Sequence, residues 1–192
     1  MQYFDNYVDQ VATALKNMFV TTHEGRNLEK DEGLAQWCQL THRVKDENQV
    51  MYFVGNGASA MMASHMAADA SKNGQFRSHA FNDVALLTAV SNDIAYEECF
   101  AVPLKRFANA GDVLVTISSS GNSPNITRAI EAARELGIAV ITLSGMKPDN
   151  RSRQMGDVNF YVPGETYGIV ESAHQALLHC WLDRLMEEYE NN

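Results

Sequence analysis

The apolar residues of the chain change period near residue 48, and the change separates two kinds of segment. Before it, Tyr3, Phe4, Tyr7, Val8, Val11, Leu15, Met18 and Phe19 fall at helical spacing and predict an amphipathic helix over about 1–22. Leu34, Trp37, Cys38, Leu40 and Val44 predict a second helix over about 28–45. Two such helices ahead of the first strand suit either the capping of a core or packing against a second subunit. From Gln49 onward the pattern is that of buried strands. QVMYFVG is a β-rich run ending in glycine, and a helix-forming stretch follows it to about Lys72. HAFN leads into DVALLTAVSND, a short helix ending before Asn92, and EECFAVPLKRFA is helical with Pro103 at a kink or in a first turn. DVLVTIS is a second strand, and PNITRAIEAARELG is a helix with Gly137 as its C-cap. IAVITLSG and DVNFYVPG are a third and a fourth strand, and a long helix runs from Glu165 to about Glu190. Alternating strands and helices predict an α/β fold, a parallel sheet covered on both faces. Such sheets bind ligands beyond the carboxyl ends of their strands, at a topological switch point. No repeat, low-complexity segment or interior linker interrupts the pattern, which predicts a single domain over 1–192.

Composition narrows the function classes. At 192 residues, 45% hydrophobic and 20% charged, the chain has the profile of an ordinary globular domain with a substantial core. No apolar run approaches the ~20 residues of a membrane span. The N-terminus lacks a basic n-region, so it does not read as a signal peptide. Cys38, Cys99 and Cys180 lack CxxC spacing, which fits neither a disulfide framework nor a zinc ribbon and predicts a reducing, cytoplasmic setting. The net charge of −9 argues against nucleic acid as a partner. It also requires any anionic ligand to be held by local donors, against the field of the whole chain.

Two loops offer such donors. GNGASA follows the first strand and opens a helix, where glycine permits close backbone approach and the helix N-terminus offers free N–H groups. It is neither a dinucleotide fingerprint nor a P-loop, since a third glycine and a GK[ST] are absent, so no nucleotide cofactor is expected. Alone it is equally a plain strand-to-helix turn. SSSGNSPN repeats the arrangement after the next strand, with hydroxyls. Pro124 suits a first helical turn and Ser123 its N-cap, whereas Ser118, Ser119 and Ser120 have no evident structural task. Hydroxyls and amides around a helix N-terminus form a phosphate cradle without lysine. Two such loops on adjacent strands predict a phosphate or sugar-phosphate site.

Downstream, His65 and Asp69 lie four apart in one helix, and Glu171, Gln175 and His179 follow one another at i, i+4 and i+8 in the last. Two histidines and two carboxylates on two helices suit a divalent metal, and equally suit an acid and a base for proton transfer. A lone histidine would read as a satisfied, partly buried residue; the neighbouring phosphate loop shifts that balance.

The set GNGASA…HMAAD, VSND, GDVL, ISSSGNSPN and ESAHQALLH resembles the sugar isomerase (SIS) domain family, and within it the phosphoheptose isomerases. The resemblance covers nearly the whole chain. It implies a flavodoxin-like parallel sheet with an N-terminal helical pair, residues 1–47 serving oligomerisation and 48–192 forming the phosphosugar-binding core. It also implies a homotetramer with active sites at subunit interfaces. The family's substrate-binding positions fall on Asn56, Gly57, Ser59, Asp93, Ser118, Ser119, Ser120 and Ser123. Some members carry zinc, one ion per subunit, on positions that correspond to His65, Asp69, Glu171 and His179. The implied activity is aldose–ketose isomerisation, sedoheptulose 7-phosphate to D-glycero-D-manno-heptose 7-phosphate, in heptose synthesis for lipopolysaccharide or capsule. Its proton work would fall to His179 and to Asp69 or Glu171. The chain departs from the family at two of these four positions: Asp69 stands where a glutamate is usual, and Glu171 where a glutamine is usual. A further aspartate shortly before is missing from TYGIVES. These departures also fit a related phosphosugar isomerase in a surface-polysaccharide pathway. A third reading is a non-catalytic SIS platform of the kind that associates with replication initiators; these lack the last histidine, and the presence of His179 favours an enzyme. His174 reads as supporting or structural, His42 and His79 as surface residues, and His23 as either.

Overall fold

A computed structural model describes residues 2–190. Its elements in chain order are helix α1 (Tyr3–Lys16), strands β1 (Phe19–Thr22) and β2 (Asn27–Leu28), α2 (Lys30–Asp46), β3 (Met51–Gly55), α3 (Ala58–Lys72), β4 (Ser78–Ala80) and α4 (Val84–Asp93). There follow α5 (Ala101–Phe107), β5 (Val113–Ser118), α6 (Pro124–Glu135), β6 (Ala139–Gly145), β7 (Val158–Val162) and α7 (Tyr167–Glu190). The seven strands form one sheet in the order β2-β1-β7-β6-β5-β3-β4.

From β4 to β7 all neighbours are parallel. Numbered among themselves, these five strands run 2-1-3-4-5, the flavodoxin-like order. Both faces of the sheet are covered, and the residues alternate accordingly. Met51 and Phe53 of β3 and Val113, Val115 and Ile117 of β5 pack in one core with Trp37, Phe160 and Trp181. Tyr52, Val54 and Leu114 point the other way, against Ile126, Ala129 and Ile130 of α6. This is why the strand segments read as unbroken apolar runs. Trp37 of α2 stacks on Trp181 of α7 at 4.5 Å, and both rings are wholly buried. Such burial stabilises by roughly 2–3 kcal/mol per large side chain and pins α7, which carries part of the site, against the sheet.

The structure corrects the expectations in four places. The first helix ends at Lys16 rather than Thr22, and Phe19–Thr22 pair antiparallel with β7, Phe19 opposite Tyr161 and Val20 opposite Phe160. The β-branched run Val20-Thr21-Thr22 favours the pleated form. The sheet is therefore not purely parallel: β1 and β2 add an antiparallel edge. β4 is a further strand, and three paired residues are too short a span to show a period. The helix expected to stop before Asn92 continues through Asp93, while Pro103 takes one of its two expected places, the first turn of α5.

Candidate functional site

Strands β3 and β5 are hydrogen-bonded neighbours, Gly55 opposite Ile117 at their carboxyl ends. Their connections leave toward opposite sides of the five-stranded run, so the loops after them frame the switch-point crevice. A pocket of about 290 Å³ lies there, lined by Asn56, Gly57, Ala58, Ser59, Ile117, Ser118, Ser119, Ser120, Ser123, Tyr167 and Glu171. A larger cleft of about 490 Å³ opens at the amino ends of β3 and β4, lined by Tyr52, Arg77, His79 and Phe107 among others. It lacks convergent helix N-termini, and the smaller pocket is the better candidate on chemistry. Every residue expected to bind substrate is in that pocket's wall except Asp93, which is exposed at the end of α4 with its Oδ1 accepting from Asn92 Nδ2 at 2.8 Å.

The serine loop behaves differently from expectation in detail. Ser118 Oγ accepts from the Gly121 N–H at 3.2 Å and Ser120 Oγ from the Asn122 N–H at 3.3 Å, so both hold the turn. Ser123 occupies the N-cap position of α6 with an extended backbone, but its hydroxyl makes no capping bond. Ser119 Oγ is buried without a partner among the described residues. A hydroxyl that accepts from an N–H still has its own proton to give. All four serines therefore retain an O–H donor, and the positive ends of α3 and α6 add to them. That is a neutral cradle for an anion, in a chain whose net charge is −9.

Two glycines shape the loops. Gly57, the N-cap of α3, has φ +57°, and Gly121 has φ +62° inside the serine loop, both positive values that side chains disfavour. Gly121 is further held by its neighbours: its O accepts from Ser152 N at 2.9 Å, and the wholly buried Asn150 lies against its Cα. Asn56 forms a reciprocal amide pair with Asn125, Asn56 Nδ2 donating at 2.9 Å and Asn125 Nδ2 donating back at 2.8 Å. Asn125, Tyr96 and Asn150 escaped the sequence reading. Asn125 alone left a signal, as a polar residue two positions into an apolar-faced helix beside the hydroxyl loop.

A second group forms where α3 meets α7. The ligand atoms of His65, Asp69 and His179 lie within 4.8 Å of one another. His65 Nε2 is 3.4 Å from Asp69 Oδ2, and the two imidazole rings are 5.3 Å apart between centroids. Two imidazole nitrogens and a carboxylate oxygen at this separation are a donor set that zinc accepts, with a position left for water or substrate. Glu171 stands apart from these three, in the wall of the hydroxyl pocket. Gln175, between them on α7, donates to Met66 Sδ at 3.8 Å.

The remaining histidines have other tasks. His174 is wholly buried behind the site, and burial pushes its imidazole down to about 4 although Ser144 O lies 3.1 Å from its Nε2. Its place in the core favours the neutral ring. His42 is not simply a surface residue: it is partly buried and lies 2.9 Å from Glu188 Oε2, joining α2 to α7. His79 and His23 are exposed. Cys38, Cys99 and Cys180 are free thiols, and burial pushes Cys38 up to about 12. No helix among the described residues is long and apolar enough to cross a membrane.

Residues 6–145 match the SIS domain family. A phosphoheptose isomerase of Thiobacillus denitrificans is 35% identical over 152 residues, covering 75% of this chain and 77% of that protein. One from Helicobacter pylori is 33% identical over 79% of this chain and 82% of its own length. The structure of phosphoheptose isomerase GmhA from Neisseria gonorrhoeae superposes with a TM-score of 0.81 at 28% identity, over 95% of each chain.

Proposed function

The chain belongs to the SIS domain family, and from that premise we propose that it is an aldose–ketose isomerase acting on sedoheptulose 7-phosphate. The observation that carries this reading is the convergence of the four-serine cradle and the carboxylate of Glu171 in one pocket. A phosphate handle and a base in reach of the same small cavity are what the isomerisation of a phosphosugar requires.

In this proposal Ser118, Ser119, Ser120 and Ser123 donate to the phosphate oxygens, and Asn56 and Ser59 contact the sugar. Glu171 removes the proton from C1 of the ketose, and the electrons move toward the C2 oxygen to give an enediolate. A proton delivered to C2, and exchange of one between O1 and O2, then give the aldose with no net gain or loss of atoms. In the metal-free protein His179, beside His65 and Asp69, would carry protons to and from the sugar oxygens. His65, Asp69 and His179 would hold a zinc ion, which when bound polarises an oxygen as a Lewis acid. The choice of Glu171 over Asp69 as the base rests on its place in the pocket wall.

The reading extends to a single cytoplasmic SIS domain that works as a homotetramer, with residues 1–47 in the assembly and 48–192 as the phosphosugar-binding core. Tyr3, Phe4 and Val8 support this, being apolar and exposed along one side of α1. Asp93 lies outside its own pocket and would serve a site shared between subunits.

The test is direct. Purified protein is incubated with sedoheptulose 7-phosphate and aldose formation is followed, with and without added zinc. Turnover that His179→Ala abolishes while the assembly survives is the expected result. No turnover, together with no thermal shift from any phosphosugar, would overturn the reading.

A further inference from the structure

We propose that Asn125 is a positioning residue that locks the carboxamide of Asn56, so that Asn56 meets its ligand only as a hydrogen-bond donor. The inference takes the ligand's identity from the sugar-phosphate reading; the geometry of the amide pair stands without it.

The argument is an inventory of donors and acceptors. Asn56 Oδ1 accepts from Asn125 Nδ2 at 2.8 Å and from the Tyr96 hydroxyl at 2.9 Å. Those two bonds fill its two lone-pair sites. Asn56 Nδ2 gives one proton to Asn125 Oδ1 at 2.9 Å, which leaves one N–H over. Asn56 is partly exposed in the pocket wall, so that N–H is what a ligand encounters. Asn125 has no N–H left to offer. It is 1% exposed, and its second N–H goes to Cys99 Sγ at 3.4 Å. Every bond its side chain makes goes to Asn56 or to Cys99 in the core beneath.

The consequence is specific. A free asparagine presents either its oxygen or its nitrogen, and turning the amide exchanges the two. Here two bonds oppose a turn of Asn56 alone, both to a buried partner on the helix that follows the serine loop, whereas the Tyr96 hydroxyl can donate or accept and only anchors the group. The pair also ties the loop after β3 to the one after β5, so the sugar contact and the phosphate contact keep their spacing. The same pocket already offers four serine hydroxyl donors. With Asn56 fixed as a donor, the pocket selects ligands rich in acceptor oxygens at that point.

Two measurements on the intact protein test this. The first needs no ligand: hydrogen exchange of the side-chain amides in protein labelled with ¹⁵N-asparagine. Both protons of Asn125 and one of Asn56 should be protected, and Asn125→Ala should release the Asn56 proton. The second is steady-state kinetics on sedoheptulose 7-phosphate. Asn56→Ala and Asn125→Ala should each raise KM about tenfold, the equivalent of one hydrogen bond, with a smaller change in kcat. The double variant should be no worse than Asn56→Ala alone. Tyr96→Phe leaves the buried pair in place and should raise KM in the same direction by less, which keeps the test available if Asn125→Ala folds poorly. An Asn56 amide whose exchange is unchanged in Asn125→Ala overturns the proposal, as do effects on KM that multiply. Wild-type protein that turns over no phosphosugar overturns the isomerase reading instead, and the exchange measurement then decides on Asn125 by itself.

Discussion

Replacing Gly121 by alanine perturbs the cradle at its most constrained point. The residue sits at φ +62°, which costs an alanine about 1–2 kcal/mol by sterics alone. The added methyl would lie 2.0 Å from Asn150 Oδ1 and 2.3 Å from its Cγ. No side chain tolerates that contact, so Asn150 must move. Asn150 is wholly buried; its Nδ2 donates to Lys147 O at 2.8 Å and Gly145 O at 3.3 Å, and its Oδ1 accepts from Arg153 N at 3.1 Å. Losing two of these bonds at about 1 kcal/mol each brings the expected destabilisation to about 3–4 kcal/mol. For a chain of this size that is a drop in Tm of about 6–16 °C. The assay is thermal and urea unfolding at one fixed protein concentration, since assembly would otherwise enter the comparison. Asn150→Ala removes the two nearest atoms, so adding Gly121→Ala to it should cost at least 1 kcal/mol less than it costs the wild type. A Gly121→Ala protein within about 1 kcal/mol of wild type, or strict additivity with Asn150→Ala, would refute the reasoning.

Three other outcomes follow from the same structure. The buried His174 has its imidazole pushed down to about 4, below its ordinary value. A depressed folded value means that the unfolded chain takes up the proton first, so stability is complete above about pH 6.5 and falls as pH drops toward 4, by on the order of 3 kcal/mol. Subtracting the pH profile of His174→Gln from that of wild type isolates this slope from the many carboxylates, and equal profiles would contradict it. Zinc content by elemental analysis should fall in His65→Ala and Asp69→Ala but persist in Glu171→Ala, while Glu171→Ala loses about 100-fold or more in kcat as a missing base does; loss of zinc in Glu171→Ala would place it among the ligands. Ser119→Ala removes a buried hydroxyl that has no partner among the described residues. It should leave unfolding midpoints unchanged or slightly raised and should raise KM about tenfold, whereas a destabilised protein with normal KM would assign Ser119 to the fold.

How much was legible in the chain depended on the length over which a pattern persists. β5, α6 and β6 were read correctly because each carries at least six residues of one period between clear stops, Gly137 among them. β1 was misread because Met18 and Phe19 continue the apolar stripe of α1, and only pairing with β7 makes those four residues extended. The serine loop was legible because its hydroxyls follow directly on an apolar run. Which of those hydroxyls also hold the turn was not, because that depends on the bend at Gly121. The pairing of Asn125 with Asn56 was hidden for a related reason: the partner lies 69 positions earlier in the chain, and no local pattern encodes that distance.

The separation of Glu171 from His179 follows from helix geometry, and it shapes the proposed mechanism. Residues at i, i+4 and i+8 are neighbours in pairs, yet each step of four turns about 40° beyond a full circle. Over eight residues the drift is about 80°, and the rise is about 12 Å. His65 and Asp69 are a single step apart, so both can meet His179 where α3 meets α7. Glu171, two turns nearer the start of α7, is carried away from that group toward the loops of β3 and β5. One helix thereby offers two stations: a carboxylate beside the phosphate cradle, and a histidine in a donor set suited to metal. A substrate held by its phosphate in the cradle meets Glu171 in the same pocket, which is why the proposed C–H proton transfer falls to Glu171. His179 is left in the donor set where α3 meets α7, where it would serve the metal position or, without metal, a sugar oxygen that reaches it.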